Sequence, residues 1–473
     1  MNRLLVSAAH KSSGKTTVTL GLCAALSGQG QRVQPFKKGP DYIDPMWLAQ
    51  ASGRPCYNLD PYLMTGAQIR RLFGQHAQHA DLSIVEGNKG LYDGLALDGS
   101  NSNAALAHVL DLPVLLVIDA RGMTRGIAPL ILGYQAFDKN LRIGGVILNR
   151  LGGSRHEAKL RAVIEHYTDV PVLGAIAEDE ALAVAERHLG LMPSNEHAQA
   201  AEQVQRIGQR IAAQVDLAAV RALAASAPRF KPEPVAAPAP AVPASQRVRI
   251  ALARDQAFGF YYPDDLQALE AAGAELLPFD TLRDPALPPD IDGLFIGGGF
   301  PELFLSELQA NAPLRTQIAD AIEAGLPVYA ECGGLMYLAR SITWQGQTGR
   351  MVGAIPGDVV MHKKPVGRGY VSLAASAAMP WPGLQGQQVR GHEFHYSAVE
   401  GLPAETRYAW QVTRGHGVDG QVDGLVHRKV LAGYAHLRSL GPDGWAPAFV
   451  DFVRRCRDAA STAAQPETAG VAS

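Results

Sequence analysis

Two stretches of the sequence combine residue types and spacings that can do chemistry. The first, Ala9-His10-Lys11-Ser12-Ser13-Gly14-Lys15-Thr16-Thr17, follows an apolar run and leads into a helical pattern beginning around Thr17. It fits the phosphate-loop spacing G-x-x-x-x-G-K-S/T except that Ala9 holds the first glycine position, which constrains the loop without removing its backbone donors. In such a loop the backbone of Ser12, Ser13, Gly14, Lys15, Thr16 and Thr17 cradles phosphates at a helix N-terminus. Lys15 reaches the terminal phosphates and the Thr16 hydroxyl meets magnesium. The second stretch is Glu331-Cys332-Gly333-Gly334-Leu335-Met336, which follows the apolar run Pro327 to Ala330. A cysteine on a glycine-flanked strand-to-helix turn has the form of a nucleophile elbow, where the helix start favours thiolate and backbone N–H groups can hold an oxyanion. Gly298, Gly299 and Gly333 are the candidates for that oxyanion region. Far downstream, the run Val430 to Tyr434 leads to His436, a sequence-distant base of the kind a cysteine nucleophile requires.

Other candidates surround these two. Glu86 ends the apolar run Leu82 to Val85 and opens Glu86-Gly87-Asn88-Lys89-Gly90-Leu91-Tyr92-Asp93-Gly94. Glu86 and Asp93 supply the oxygen ligands that magnesium prefers. Asp41 and Asp44, in Lys37-Lys38-Gly39-Pro40-Asp41-Tyr42-Ile43-Asp44-Pro45, are either turn formers or functional acids. His392 and His395 are either site residues or structural ones.

These residues need rigid elements to hold them. The runs Leu4 to Ala8, Leu82 to Val85, Val114 to Ile118 and Val146 to Leu148 alternate with longer helical patterns and end in glycine, acid or amide residues. That is the signature of parallel strands buried on both faces, with functional loops at their carboxyl ends. The pattern restarts at Val248 to Leu252, Gly293 to Ile296 and Pro327 to Ala330. Both halves therefore read as α/β, a phosphate-loop parallel-sheet domain and a second α/β domain. The boundaries expected are 1–227 for the first domain, a proline- and alanine-rich linker over 228–246, 247–458 for the second domain, and a disordered tail over 459–473.

Composition excludes several classes. A chain of 473 residues with 47% hydrophobic and 19% charged residues can bury more than one core, and its formal net charge of -2 gives no general attraction to nucleic acid or anionic lipid. No signal-type leader or run of about 18 apolar residues occurs, so neither a membrane nor a nucleic-acid partner is expected and the location expected is cytoplasmic. Cys23, Cys56 and Cys456 lack paired spacing and read as ordinary buried thiols.

Taken together and in order, the phosphate loop, Lys-Gly-Pro-Asp-Tyr-Ile-Asp-Pro, Glu-Gly-Asn-Lys-Gly-Leu-Tyr-Asp-Gly, Ala-Glu-Cys-Gly-Gly-Leu and Gly-His-Glu-Phe-His-Tyr-Ser resemble the cobyrinic acid and hydrogenobyrinic acid a,c-diamide synthases of cobalamin biosynthesis, over about Arg3 to Arg455. The N-terminal half is similar to dethiobiotin synthetase and the C-terminal half to class I glutamine amidotransferases. The resemblance implies a ligase that uses ATP, magnesium and L-glutamine to amidate the a and c acetates of the corrinoid. It implies magnesium and phosphate roles for Glu86 and Asp93, and adenine recognition for Asn149. Asp41 and Asp44 belong, by the same carry-over, to the corrinoid and acyl-phosphate region, and count with Cys332 and His436 as catalytic candidates. One departure matters: two residues beyond His436, where the amidotransferase pattern has an acid, stands Arg438. Either Cys332 and His436 form a dyad or another group orients His436. Sister enzymes, a cobyric acid synthase or a nickel-tetrapyrrole a,c-diamide synthase, are the nearest rivals. A non-enzymatic partitioning ATPase would share the phosphate loop but leaves Cys332 without a task. The presence of cobalt, the order of amidation and the subunit count, a homodimer included, stay open.

Overall fold

The computed structural model describes residues 1–179, 186–187, 190–196, 199–234 and 242–463. The chain forms two compact units, Met1–Ala237 and Pro238–Ser473. In the first, strands β1 (Arg3–Ala8), β2 (Val33–Lys38), β3 (Tyr57–Leu59), β4 (Leu82–Glu86), β5 (Val114–Asp119), β6 (Ile143–Leu151) and β7 (Val172–Ala177) make one parallel sheet in the order β3-β2-β4-β1-β5-β6-β7. Parallel register aligns the carboxyl ends, so the loop after β1, Lys37 on β2, Glu86 on β4 and Asn149 on β6 share one edge of the sheet.

Helix α1 (Lys15–Gly28) begins directly at the phosphate loop, two residues earlier than the helical pattern suggests, because Gly14 takes the left-handed φ of 85° that lets strand turn into helix. Helix α2 (Ile43–Ser52) carries Asp44 in its first turn, and α3 (Gly66–Ala77) starts with a capping box between Thr65 and Gln68. Helix α4 (Ala200–Gln214) lies close against α1: a Cβ on Gly21 would stand 2.1 Å from Ile211, and one on Gly208 2.8 Å from Ala24. Glycine at these crossings lets two helices bury Val204, Ile207 and Ile211 against the sheet, and each such side chain contributes about 2 kcal/mol.

The second unit is built on a ten-stranded sheet. Its strands are β8 (Val248–Ala253), β9 (Ala274–Phe279), β10 (Gly293–Ile296), β11 (Val328–Glu331), β12 (Gly367–Ala375), β13 (Gln388–His395), β14 (Arg407–Arg414), β15 (Val422–His427), β16 (Val430–Gly433) and β17 (His436–Leu437). Their order is β9-β8-β10-β11-β16-β15-β14-β12-β13-β17. The first five are parallel, as the apolar runs predict. From β16 onward every pairing is antiparallel, a mixed sheet that the sequence reading does not anticipate. Helix α5 (Pro263–Ala271) follows β8, α6 (Gly333–Leu338) follows β11, and α7 (Trp445–Ala463) closes the described chain. In this unit Trp445 packs on the rings of Phe295 and Tyr329.

Two boundaries and one burial differ from expectation. Helix α7 runs past 458 to Ala463, because the alanine-rich Asp-Ala-Ala-Ser-Thr-Ala favours helix; residues 464–473 of the expected tail lie outside the described residues. Cys23 and Cys56 are buried but Cys456 is only partly so. The expected linker is also not all spacer, although 235–241 lie outside the described residues. Phe230 is 7% exposed, meets the Phe73 ring edge-on at 5.2 Å and lies under the guanidinium groups of Arg3 and Arg70 at 5.1 and 4.9 Å. Among the described residues no helix is long and apolar enough to cross a membrane.

This packing makes Phe230 part of the first core. Phe230→Ala is expected to lower the unfolding free energy of the first unit by about 3 kcal/mol, read as an earlier transition in urea. An unchanged denaturation profile would return the segment to the status of a spacer.

Candidate functional site

At the phosphate loop, Ser12 and Gly14 adopt φ of 64° and 85°, and no side chain caps the first turn of α1, so its amides face outward for an anion. Two residues at the end of β6 clamp the loop. Asn149 Nδ2 donates to Ser13 O at 2.9 Å and Arg150 Nη1 to Ser12 O at 2.8 Å, while a Cβ on Gly14 would sit 2.0 Å from the Asn149 amide. The amide N–H of Asn149, which the resemblance assigns to adenine, is thus given to the loop backbone. Ser13 Oγ donates to His10 O at 2.8 Å.

Beside the loop lies a dense group of charges. Thr16 Oγ1 donates to Glu86 Oε1 at 2.6 Å; Lys37 and Lys15 reach the same oxygen at 3.1 and 3.4 Å. Lys37 also donates to Asp44 and stands 3.6 Å from Asp41, and Thr16 Oγ1 is 3.4 Å from Asp44 Oδ2. Burial opposes the Lys37 ammonium, yet Asp44, Glu86 and Asp41 together hold its pKa well above the ordinary lysine range. Burial likewise opposes charge on Asp44, but Lys37 and Lys15 outweigh it and keep that carboxyl below its usual value. Burial and the Asp44 charge raise Asp41. Asp41 serves its turn as well, its Oδ1 accepting from the N–H groups of Ile43 and Asp44 at 3.0 and 3.2 Å.

Lys37 is the residue that the sequence reading passed over. Its signal is slight: one of two adjacent lysines at the end of a strand that, lysines included, is wholly buried. Asp93 is placed differently from Glu86. Its Oδ2 accepts from Gly90 N–H at 2.9 Å, near Ala9 at the start of the phosphate loop, and among the described residues no hydrogen bond joins it to Thr16 or Glu86. Asn103, also unforeseen, ties that segment down through Ser7, Asn88 and Gly90.

The donor set suits a hard divalent cation. Glu86 is fully buried, yet its Oε2 has no hydrogen-bond partner among the described residues, and it adjoins the Thr16 hydroxyl. No cluster of three His, Cys, Asp or Glu ligands occurs among the described residues; magnesium itself takes one or two protein oxygens and completes its shell with phosphate and water.

In the second unit the elbow is tight. Cys332 joins β11 to α6 at φ 49° and ψ -101°, a strained backbone for a residue with a side chain, and its N–H donates to Gly433 O at 2.7 Å. Glycines make the turn fit: a Cβ on Gly334 would lie 2.2 Å from Ile296 O, and one on Gly333 2.9 Å from Gly299 N. A Cβ on Gly298 would stand 2.7 Å from His436 Cε1, so the three oxyanion candidates converge on Cys332 and His436. Burial works against the His436 imidazolium, but hydrogen bonds to the Cys332 thiol and Glu331 push it up to about 10. Glu331 Oε2 lies 3.3 Å from His436 Nδ1, a contact not foreseen from the sequence.

The two undecided histidines separate. His392 pairs with His436 across β13 and β17, their rings stacked at 4.9 Å, and burial, His436 and Arg438 hold its pKa well down. His395 stacks instead on Tyr434 at 3.7 Å, with Nδ1 on Ser397 O at 2.8 Å, within the core.

Residues 5–191 match the CobQ/CobB/MinD/ParA nucleotide-binding domain, and residues 249–443 the CobB/CobQ-like glutamine amidotransferase domain. The chain is 46% identical to a cobyrinate a,c-diamide synthase from Magnetococcus marinus, covering 96% of this chain and 97% of that one. It is 41% identical to the protein of the same name from Methanosarcina acetivorans, covering 96% of each. A third, from Listeria monocytogenes, is 41% identical over 85% of this chain and 88% of its own.

The charge cluster yields a stability prediction. Lys37→Met would leave Asp44 and Glu86 buried without their shared cation, and a loss of about 3 kcal/mol in unfolding free energy is expected by denaturant titration. Unchanged stability would mean that Lys15 or solvent already balances those acids.

Proposed function

The chain belongs to the cobyrinate a,c-diamide synthase family, and we propose that it is a ligase that uses ATP and glutamine to amidate the a and c acetate carboxylates of cobyrinic or hydrogenobyrinic acid. The observation that carries this reading is the occurrence, in one chain, of a phosphate loop backed by buried acids and a strained cysteine beside a buried histidine. Neither half makes an amide alone. A carboxylate resists ammonia because its oxygen leaves poorly, so it must first become an acyl phosphate.

In this reading the phosphate-loop amides hold ATP, Lys15 draws the terminal phosphate, and Asp41 and Asp44 orient the acetate for in-line attack. Magnesium, held by Thr16 and Glu86 with Asp93 at the margin of the site, would neutralise charge on the transferring phosphate. Asn149 fixes the loop and with it the nucleotide. In the amidotransferase unit the Cys332 sulfur attacks the side-chain carbonyl of glutamine, and the oxyanion is held from the region of Gly298, Gly299 and Gly333. The carbon–nitrogen bond breaks as His436 delivers a proton to the leaving ammonia, and water then cleaves the thioester to release glutamate and restore the thiol. Ammonia attacks the acyl phosphate and phosphate leaves. We assign the reaction to the cytoplasm.

The relatives' shared name favours the a,c-diamide reading over a cobyric acid synthase or a nickel-tetrapyrrole enzyme, and the second unit disfavours a partitioning ATPase. Incubating the enzyme with ATP and glutamine and either corrinoid acid, with products identified by mass spectrometry, tests the assignment. Two added amides are expected, and no mass change on either acid would remove it.

Cys332→Ala should abolish glutamine-driven amidation while added ammonia still supports it, since the thiol serves only to free nitrogen. A folded variant that loses both would contradict that division. Asp44→Asn is expected to lower synthesis about 100-fold with either nitrogen source while glutaminase turnover persists, and to release monoamide if the intermediate is held less well. Chromatography of the products checks this; wild-type rates with diamide alone would remove Asp44 from the catalytic candidates.

A further inference from the structure

Two residues beyond His436 the chain has Arg438 where an orienting acid is expected, and that side chain is engaged elsewhere. Its guanidinium is fully buried, donates to Asp264, lies 3.9 Å from Asp265 and stands 4.1 Å over the Tyr262 ring. Asp265 accepts from Ser439 N–H at 2.8 Å and Trp445 Nε1 at 3.3 Å. Asp423 receives the N–H groups of Tyr434 and Ala435, and Glu393 those of His416 and Gly417. These acids are spent on Arg438 or on backbone.

Glu331 is different. It is the last residue of β11, 4% exposed, and its carboxylate bridges three groups: Oε1 accepts from Tyr329 OH at 2.6 Å and Leu437 N–H at 3.2 Å, and Oε2 faces His436 Nδ1 at 3.3 Å. Tyr329 and Glu331 lie on the same face of the strand, two residues apart, and Glu331 pairs with Gly433 across the neighbouring strand. On the reading that Cys332 is the nucleophile and His436 its base, we propose that Glu331 is the positioning residue of this site, the acid that completes it coming from immediately before the nucleophile instead of from the histidine's own strand.

A carboxylate only accepts, so the hydrogen bond fixes Nδ1 as the protonated nitrogen and leaves Nε2 to the Cys332 thiol. The negative charge also offsets the cost of a buried imidazolium. The His392 ring stacked on it offers no such help, because burial, His436 and Arg438 hold that imidazole neutral. Placing the acid next to the cysteine ties nucleophile and base to one backbone turn, so the distance between them does not depend on a separate loop.

Glu331→Gln and Glu331→Asp can be compared with wild type for glutamine-driven and ammonia-driven synthesis. In parallel, the pH dependence of Cys332 alkylation by iodoacetamide is followed by mass spectrometry of its peptide. Glu331→Gln is expected to lower glutamine-driven kcat about 100-fold with KM nearly unchanged, and to leave ammonia-driven turnover intact. Glu331→Asp should recover part of the loss. The alkylation profile of Glu331→Gln should move to higher pH, because an imidazolium without its anionic neighbour favours the thiolate less. Wild-type glutamine turnover with an unmoved alkylation profile would overturn the proposal, and if Cys332→Ala is inactive with glutamine the nucleophile assignment survives that result. Should Glu331→Gln lose both activities, Tyr329→Phe decides: a loss confined to glutamine supports the proposal, and no loss overturns it.

Discussion

In both units the chemistry depends on a parallel strand that must reverse into a helix, over residues 9–14 in the first unit and at Cys332 alone in the second. The backbone can make that reversal only through positive φ, taken by Ser12 and Gly14 in one unit and by Cys332 in the other. For a residue with a side chain this conformation costs about 1 to 3 kcal/mol, and it persists because the surroundings leave no alternative. A side chain at Gly334 would collide with Ile296 O, one at Gly333 with Gly299, and one at Gly14 with Asn149. Relaxing any of these turns would move the reacting group out of line with its partners. The strain is what aims the amides of the phosphate loop at an anion and the Cys332 sulfur at the ring of His436.

Aiming brings charged groups out of water, and the fold meets that cost by pairing. Lys37 stands among Asp44, Asp41 and Glu86; Arg438 stands against Asp264. A buried ion pair adds little net stability, but removing one partner is expensive, so such clusters fix positions more than they strengthen the fold. The two acids near Lys37 are driven apart in acidity: Asp44 is held down by the lysines, and Asp41 is raised by burial and by Asp44. Asp44 is thereby biased toward the anion and Asp41, a third exposed at the side chain, toward the protonated acid.

The local features were readable in the sequence because each is encoded within a few residues. The phosphate loop, the glycine-flanked Cys332 and the acid at the end of β4 need only a strand before them and a turn after. What could not be read depends on contacts between distant segments. Lys37 looks like any strand lysine until β2 is laid beside β4 and its ammonium meets Glu86, 49 residues away. Glu331 was hidden by its famous neighbour, since a residue beside a nucleophile points anywhere until β17 arrives from 105 residues downstream. The antiparallel half of the second sheet escaped notice because its strands are half-polar, without the continuous apolar runs of buried parallel strands. Phe230 was lost in a proline-rich context whose composition suggests a spacer, although one aromatic ring suffices to dock it.

The two networks are also closed within themselves. The groups around Glu86 come from Lys15, Thr16, Lys37 and Asp44, all in the first unit. Those around His436 come from Glu331, Cys332, His392 and, through the stacked rings, Tyr262 and Arg438, all in the second. Among the described residues, the partners of Glu86 and of His436 named here each come from the group's own unit. What links them is chemical: ammonia is the product of one and the nucleophile for the other, and an acyl phosphate not met by ammonia is lost to water.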